Sequence, residues 1–318
     1  MREIKVNFVD FWSNLDKTDN YFYNLLIKKY KVVIDDDPDI LFYSCYGREY
    51  LKYKCTRIFF AGENVRPDFM ACDFAFSFDF NKRENHFRLP LYSLYIDHHR
   101  KLEEVMALKT REEAKAIWNL KSKFCCMVVS NGDSPERLDF FKNLSKIKRV
   151  DSGGGILNNV GGKVADKLEF IKDYKFVISF ENKKQIGYTT EKILEPIFTD
   201  SIPIYWGNEL VNEDFNSGRF INHNDFDSQE ALINRILEID NNDELAIKML
   251  MEPTFSTNKL PHEEEHIRVL DILCRIVEGD KKPVAKQFWI HIHRFKLELY
   301  SVKQNFKRYL KTFFKPEK

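Results

Sequence analysis

The chain has 318 residues, 43% of them apolar and 31% charged, with 28 Phe and a net charge of +1. That length supports two domains, each with its own core, and the near-neutral balance gives no reason to expect a nucleic-acid partner. No apolar run approaches the roughly 20 residues that span a bilayer. The opening MREIKVNFVDF scatters charge where a signal peptide would need an apolar stretch. The six cysteines lack zinc-type or CxxC spacing and read as reduced core thiols of a cytosolic protein.

In chain order, residues 4–11 read as a strand and 21–30 as a helix. Strands at 32–34 and 40–43 flank the acidic turn Asp35-Asp36-Asp37-Pro38-Asp39. That cluster has the groups to hold a divalent metal, but Asp and Pro both favour turns, so a solvated turn is the simpler reading. Residues 57–61 form an apolar strand running into Gly62-Glu63-Asn64, and 74–80 a further strand. Arg88-Leu89-Pro90-Leu91-Tyr92 then leads to Asp97-His98-His99. Alternating strands and helices argue for a parallel α/β sheet.

Residues 101–119 are charged and helical in pattern and suit a domain connection. The run FCCMVVS at 124–130 would open a second domain as a buried strand. After the turn Asn131-Gly132-Asp133 a helix starts at Ser134-Pro135, with proline in its first position and Arg137 in its first turn. A Gly-rich loop at 151–155, with Asn158, follows.

The chemistry concentrates at 175–208. An apolar strand (176–180) ends at Glu181 and Asn182, and Gly187 suits a turn. Thr189 and Thr190 offer a helix cap, and Glu191 and Lys192 fall in the first turn of a helix reaching Phe198. Pro196 removes a donor and should kink that helix or end it early. A second strand at 202–206 closes on Gly207-Asn208. In such a βαβ unit ligands bind at the carboxyl ends of the strands, and a helix N-terminus attracts phosphate. Lys192 adds a cation there, Tyr188 and Asn182 add neutral hydrogen-bonding groups, and Glu191 suits hydroxyls of a sugar or ribose. Spacing alone is equally consistent with an ordinary capped helix.

Helices are expected at 229–239, 244–251 and 262–278. Residues 288–314 give the clearest helix, with Ile292, Phe295, Leu299, Val302, Phe306, Tyr309 and Phe313 on one stripe. Residues 281–318 hold eleven Lys/Arg against Glu298 and Glu317, a balance of +9 that leaves −8 for the first 280. Basic amphipathic helices lie on anionic membranes; packing on the chain's own domain, or a coiled-coil dimer, is the alternative.

FEN, then GYxTEKI, then a short helix and IPIYWG resemble the α-1,3/4-fucosyltransferases of glycosyltransferase family 10, in their GDP-fucose site. The resemblance extends to Gly62-Glu63-Asn64, Arg88–Tyr92, His98-His99, Arg137 and Gly153-Gly154-Gly155, and thins in the first fifty residues and after about 260. It implies a GT-B architecture of two facing Rossmann-like domains with a C-terminal amphipathic helical tail. Residues 1–120 would be the acceptor domain, 121–262 the GDP-fucose domain and 263–318 the tail.

It further implies inversion at fucose C1, Glu63 as general base, and Arg137, Asn182, Tyr188, Glu191 and Lys192 as donor-binding residues. His98 and His99 would lie near the acceptor or serve only as a helix cap. No metal site and no required cofactor are expected, although a divalent ion could stimulate. The expected acceptor is a glycan of N-acetyllactosamine type, fucosylated at GlcNAc. The chain looks bacterial in type, placed on the inner face of the membrane through residues 288–314, with a dimer open. A transferase of another GDP-sugar, or a non-catalytic membrane-docked binding module, are the competing readings.

Overall fold

The computed structural model describes residues 1–256 and 261–313; the side chains of 261–263, 301, 304, 305 and those beyond 306 lie outside that description. The chain divides into two compact units. One comprises residues 1–77, 81–88 and 266–318, the other 78–80 and 89–265. The division therefore falls near residue 88 rather than 120, and the tail belongs with the first unit.

The first unit holds six parallel strands, β1 (Glu3–Val9), β2 (Lys31–Ile34), β3 (Ile40–Tyr43), β4 (Thr56–Phe60), β5 (Phe74–Ser77) and β6 (His86–Arg88), in the order β2-β1-β3-β4-β5-β6. Strands buried on both faces read as continuous apolar runs, and ILFY of β3 and FAFS of β5 are buried throughout. Helix α1 (Tyr21–Leu26) covers one face, capped by the Asn20 side chain. Its Phe22 joins Phe8, Phe42 and Phe76 in a ring cluster with centroids 4.9–5.2 Å apart. Each such pair adds about 1 kcal/mol beyond the area it buries. β6 is three residues long and carries little periodicity, which is why the sequence did not reveal it.

In the second unit, α2 (Leu91–His99), α3 (Leu102–Met106) and α4 (Arg111–Leu120) precede β7 (Lys123–Met127). The helix expected over 101–119 is thus two, and the second opens with a capping box between Thr110 and Glu113. There follow α5 (Pro135–Ser145), β8 (Val150–Ser152), α6 (Lys167–Ile171), β9 (Tyr174–Phe180), α7 (Glu191–Phe198), β10 (Ile202–Trp206), β11 (Ile221–Asn222), α8 (Gln229–Asp240) and α9 (Asp243–Met251). The strands are all parallel, in the order β11-β10-β9-β7-β8.

Period-two alternation sorts β9 cleanly. Phe176, Ile178 and Phe180 join the core with Phe140, Ile204 and Trp206, while Val177 packs in a separate cluster with Ile171 and Tyr174. Both sheets have their second strand on the far side of the first, the doubly wound arrangement whose ligand crevice opens where the winding reverses. Those points are β1/β3 in the first unit and β7/β9 in the second.

Helix α10 (Pro261–Glu278) precedes α11 (Trp289–Phe313). α11 is fixed at its start by buried Ile290 and by His293, which hydrogen-bonds Tyr50 Oη at 2.8 Å and Asp68 at 3.0 Å. Further on, Phe295, Leu299, Val302 and Phe306 are exposed, as an unpartnered stripe requires; Tyr309 and Phe313 have side chains outside the described residues. No helix among the described residues is long and apolar enough to cross a membrane.

Candidate active site

The carboxyl end of β9 is where charge accumulates. Glu181, immediately after the strand, is fully buried. It accepts from the Thr190 backbone N–H at 2.8 Å and from Thr190 Oγ1 at 2.9 and 3.0 Å. Thr190, not Thr189, caps α7: having donated its hydroxyl proton to Glu181, its oxygen accepts from Lys192 N at 3.4 Å and Lys192 Nζ at 3.0 Å. Lys192 Nζ also sits 3.3 Å from carboxylate oxygens of both Glu181 and Glu191. The α7 N-terminus is thus held rigidly, and its ammonium group is shared among three oxygen-bearing neighbours.

Burial tends to push the Lys192 ammonium down, but Glu191 and Glu181 outweigh it and hold the group well above the usual lysine value. Burial raises Glu181 despite Lys192. Burial opposes ionisation of Glu191 as well, yet Lys192 and Lys167 together bring its carboxyl below the ordinary value.

Arg137 marks the reversal point of the sheet. It is fully buried, and its guanidinium donates to Asn131 O after β7 (2.6 Å), to Phe180 O at the end of β9 (3.0 Å) and to Asn182 Oδ1 (3.2 Å). Burial lowers its basicity, opposed by the charge of Glu181. Among the described residues no carboxylate forms an ion pair with it, and its Nε has no partner. A buried cation without a counter-ion is costly and leaves positive potential where an anion would be welcome. In this arrangement Arg137 orients Asn182 and lends charge, with no donor facing solvent.

Of the residues named from the sequence, Arg137 meets Asn182 and Lys192 meets Glu191, all at the carboxyl end of β9 and the start of α7. Tyr188 is in the same loop but buried, its ring edge-on to Phe78 at 5.3 Å. Three supporting residues were not singled out. Glu181 anchors the cap. Asn208 binds Gly187 N at 2.7 Å and Thr189 Oγ1 at 3.0 Å, joining the loop before α7 to the end of β10. Gly207 has φ +154°, and a Cβ there would lie 2.5 Å from Glu181 Cγ, so only glycine leaves room for the buried carboxylate. The signal was present in the juxtaposition of a strand-end Glu with a strand-end Gly-Asn on the neighbouring strand.

Glu63 lies in the first unit, just past β4, with Tyr46 Oη 3.5 Å from its carboxylate. His98 and His99 belong to the second unit, and His99 packs its ring on Phe198 at 5.6 Å, the end of α7 opposite Thr190. Arg100 takes a left-handed conformation (φ 52°) and terminates α2 there. Burial and the neighbouring His98 lower the His99 pKa, favouring a neutral packing residue. Among the described residues no group of three His, Cys, Asp or Glu side chains is placed to hold a metal ion.

The model for the α-(1,3)-fucosyltransferase FucT N-terminal domain matches residues 6–95, and that for the glycosyltransferase family 10 (fucosyltransferase) C-terminal region matches 118–297. The Helicobacter pylori α-(1,3)-fucosyltransferase FucT is 32% identical over 294 residues, covering 80% of this chain and 61% of the relative, so the chain spans about three-fifths of that protein's length. The Mus musculus 4-galactosyl-N-acetylglucosaminide 3-alpha-L-fucosyltransferase 9 is 33% identical over 131 residues, 39% of this chain and 35% of the relative.

Among solved structures, an α1,3-fucosyltransferase superposes with a TM-score of 0.75 at 28% identity, covering 90% of this chain and 92% of that one. An α1,3-fucosyltransferase with GDP-fucose gives 0.73 at 26%, covering 88% and 92%. The fold is GT-B, and the chain belongs to glycosyltransferase family 10, the fucosyltransferases.

Proposed function

We propose that the chain transfers fucose from GDP-fucose to the GlcNAc 3-hydroxyl of an N-acetyllactosamine-type glycan, with inversion. The observation that carries this reading is the buried, unpaired cation Arg137 at the reversal point of the second sheet, one strand away from the capped α7 N-terminus bearing Lys192. Two cations and a helix N-terminus suit a leaving diphosphate, and Glu191 beside them suits ribose or fucose hydroxyls. The solved α1,3-fucosyltransferase with GDP-fucose supports the donor, and the relative named for 4-galactosyl-N-acetylglucosaminide supports the acceptor.

In the reaction, the acceptor hydroxyl gives its proton to Glu63 and its oxygen attacks fucose C1 on the face opposite the diphosphate. The C1–O bond to GDP breaks, and its electron pair leaves on the diphosphate. Lys192 and the potential of Arg137 stabilise that developing charge without a required metal. The substrate's β linkage becomes an α linkage in the product.

Glu63→Ala is expected to abolish transfer while GDP still binds; retention of most activity would remove Glu63 from the role of base. Lys192→Ala is expected to weaken GDP binding itself, and unchanged affinity in calorimetry would remove Lys192 from the diphosphate.

The exposed apolar stripe of α11 and the +9 tail suit an anionic membrane surface, which we propose as the tail's partner. Co-sedimentation with vesicles containing anionic lipid, set against neutral vesicles, tests this. A second copy seated on the same stripe would appear instead as a dimer in solution.

A further inference from the structure

The carboxyl edge of the first sheet has its own reversal point, and it is built of aromatic rings. Phe11 and Trp12 follow β1 by two and three residues, and Tyr46 follows β3 by three. Trp12 meets Tyr46 edge to face, centroids 6.4 Å apart and planes at 87°; Phe11 meets Trp12 similarly at 5.6 Å and backs onto Phe60. Trp12 is half-buried and Tyr46 is 48% exposed, so the corner these rings make is open to solvent.

The corner is held from several sides. Asp10 accepts through its carboxylate from the backbone N–H groups of Glu49 and Tyr50, both at 2.9 Å, and its carbonyl accepts from Tyr46 N at 3.0 Å. Ser44 Oγ donates to Phe60 O at 2.7 Å and accepts from Gly62 N at 3.3 Å, tying the loop after β4 to the end of β3. A Cβ on Gly62 would come within 3.3 Å of the Tyr46 ring and 3.4 Å of the Trp12 ring. Glycine thus lets that loop press against both rings and sets Glu63 at the corner's rim. Tyr46 Oη lies 3.3 Å from Gly62 O and 3.5 Å from Glu63 Oε1.

We propose that Trp12 and Tyr46 form a subsite for the apolar C–H face of an acceptor pyranose, setting a hydroxyl of that sugar beside Glu63. Pyranoses carry axial C–H groups on one face and hydroxyls at the rim, which matches an apolar ring wall ending in a carboxylate. The pinned loops supply the preorganisation such a weak contact needs. The inference rests on the reading of Glu63 as the acceptor's base.

The test combines saturation-transfer NMR of N-acetyllactosamine, lactose and N-acetylglucosamine on the GDP-bound chain with transfer kinetics. Trp12→Ala is expected to raise the acceptor KM about tenfold and to abolish saturation transfer, leaving GDP affinity and acceptor-independent hydrolysis of GDP-fucose unchanged. Trp12→Leu, which keeps an apolar side chain but no ring face, gives the same loss and serves if the alanine variant does not fold.

Unaltered acceptor KM and saturation transfer in the folded Trp12 variants would overturn the subsite. Sugar binding that is lost in those variants, in a wild-type chain that transfers no fucose, would uphold the subsite and sink the transferase reading. No binding of any of the three sugars would overturn both.

Discussion

Lys192 is the residue on which the donor account turns, and its partners explain how it can serve. In this structure its ammonium is shared by Glu181, Glu191 and Thr190, so under the proposed function a diphosphate would compete for a cation already in position. Gly207 keeps that arrangement possible. Gly207→Ala forces a Cβ against Glu181 at a backbone angle that side chains rarely adopt, and is expected to cost about 1–3 kcal/mol in denaturant unfolding while weakening GDP binding.

A second buried cation has a different purpose. Lys121 donates to Lys172 O, Thr199 O and Ser201 Oγ around the end of α7, and burial lowers its pKa to about 8. The folded chain therefore releases this proton before the unfolded chain does. Between about pH 8 and the ordinary 10.5 the unfolded state binds more protons, so this group's contribution to stability rises with pH, in total by on the order of 3 kcal/mol. Lys121→Met should lack that rise when unfolding free energies are compared across the window; identical slopes would contradict the assignment.

At the scale of elements, the sequence was most legible where periodicity and wording coincide. β9, α7 and β10 follow directly from an apolar run, a threonine cap and a second apolar run. Pro196 does not shorten α7: the helix runs through it to Phe198, and Pro196 O takes Ser201 N at 2.8 Å. β8 and β11 escaped because three and two residues carry no readable alternation, and Asp151 inside β8 looked like loop. The histidine pair stayed ambiguous in the sequence because a His-His at the end of a helix looks the same whether it faces a substrate or packs, as His99 does, on Phe198.

α11 combines both outcomes. Its stripe was visible, but not that Ile290 and His293 bind the first turns to the body. Truncation after residue 300 should then keep transfer and lose vesicle binding. Truncation after residue 285 should also lower the midpoint of thermal unfolding, because it removes Ile290 and His293 from a packed site. Equal midpoints for the two truncations would show that these contacts contribute nothing.

At the scale of the molecule, each unit is a doubly wound parallel sheet with one reversal point, and the two points carry different chemistry. The β7/β9 point gathers cations and a helix N-terminus; the β1/β3 point gathers aromatic rings beside a carboxylate. Under the proposed function, the first of these would serve the leaving diphosphate and the second the attacking sugar. The sequence conveyed the β7/β9 point by its wording. It conveyed little of the β1/β3 point, because Trp12, Tyr46 and Glu63 are 34 and 17 residues apart and only the strand order brings them together.

The most direct test is GDP release from GDP-fucose, with and without N-acetyllactosamine, set beside GDP-mannose and lactose and repeated with Glu63→Ala. Release from the fucose donor alone, dependent on the disaccharide and lost in the variant with GDP affinity intact, is the expected result. Equal release from GDP-mannose, or full acceptor-dependent release by Glu63→Ala, would contradict the account.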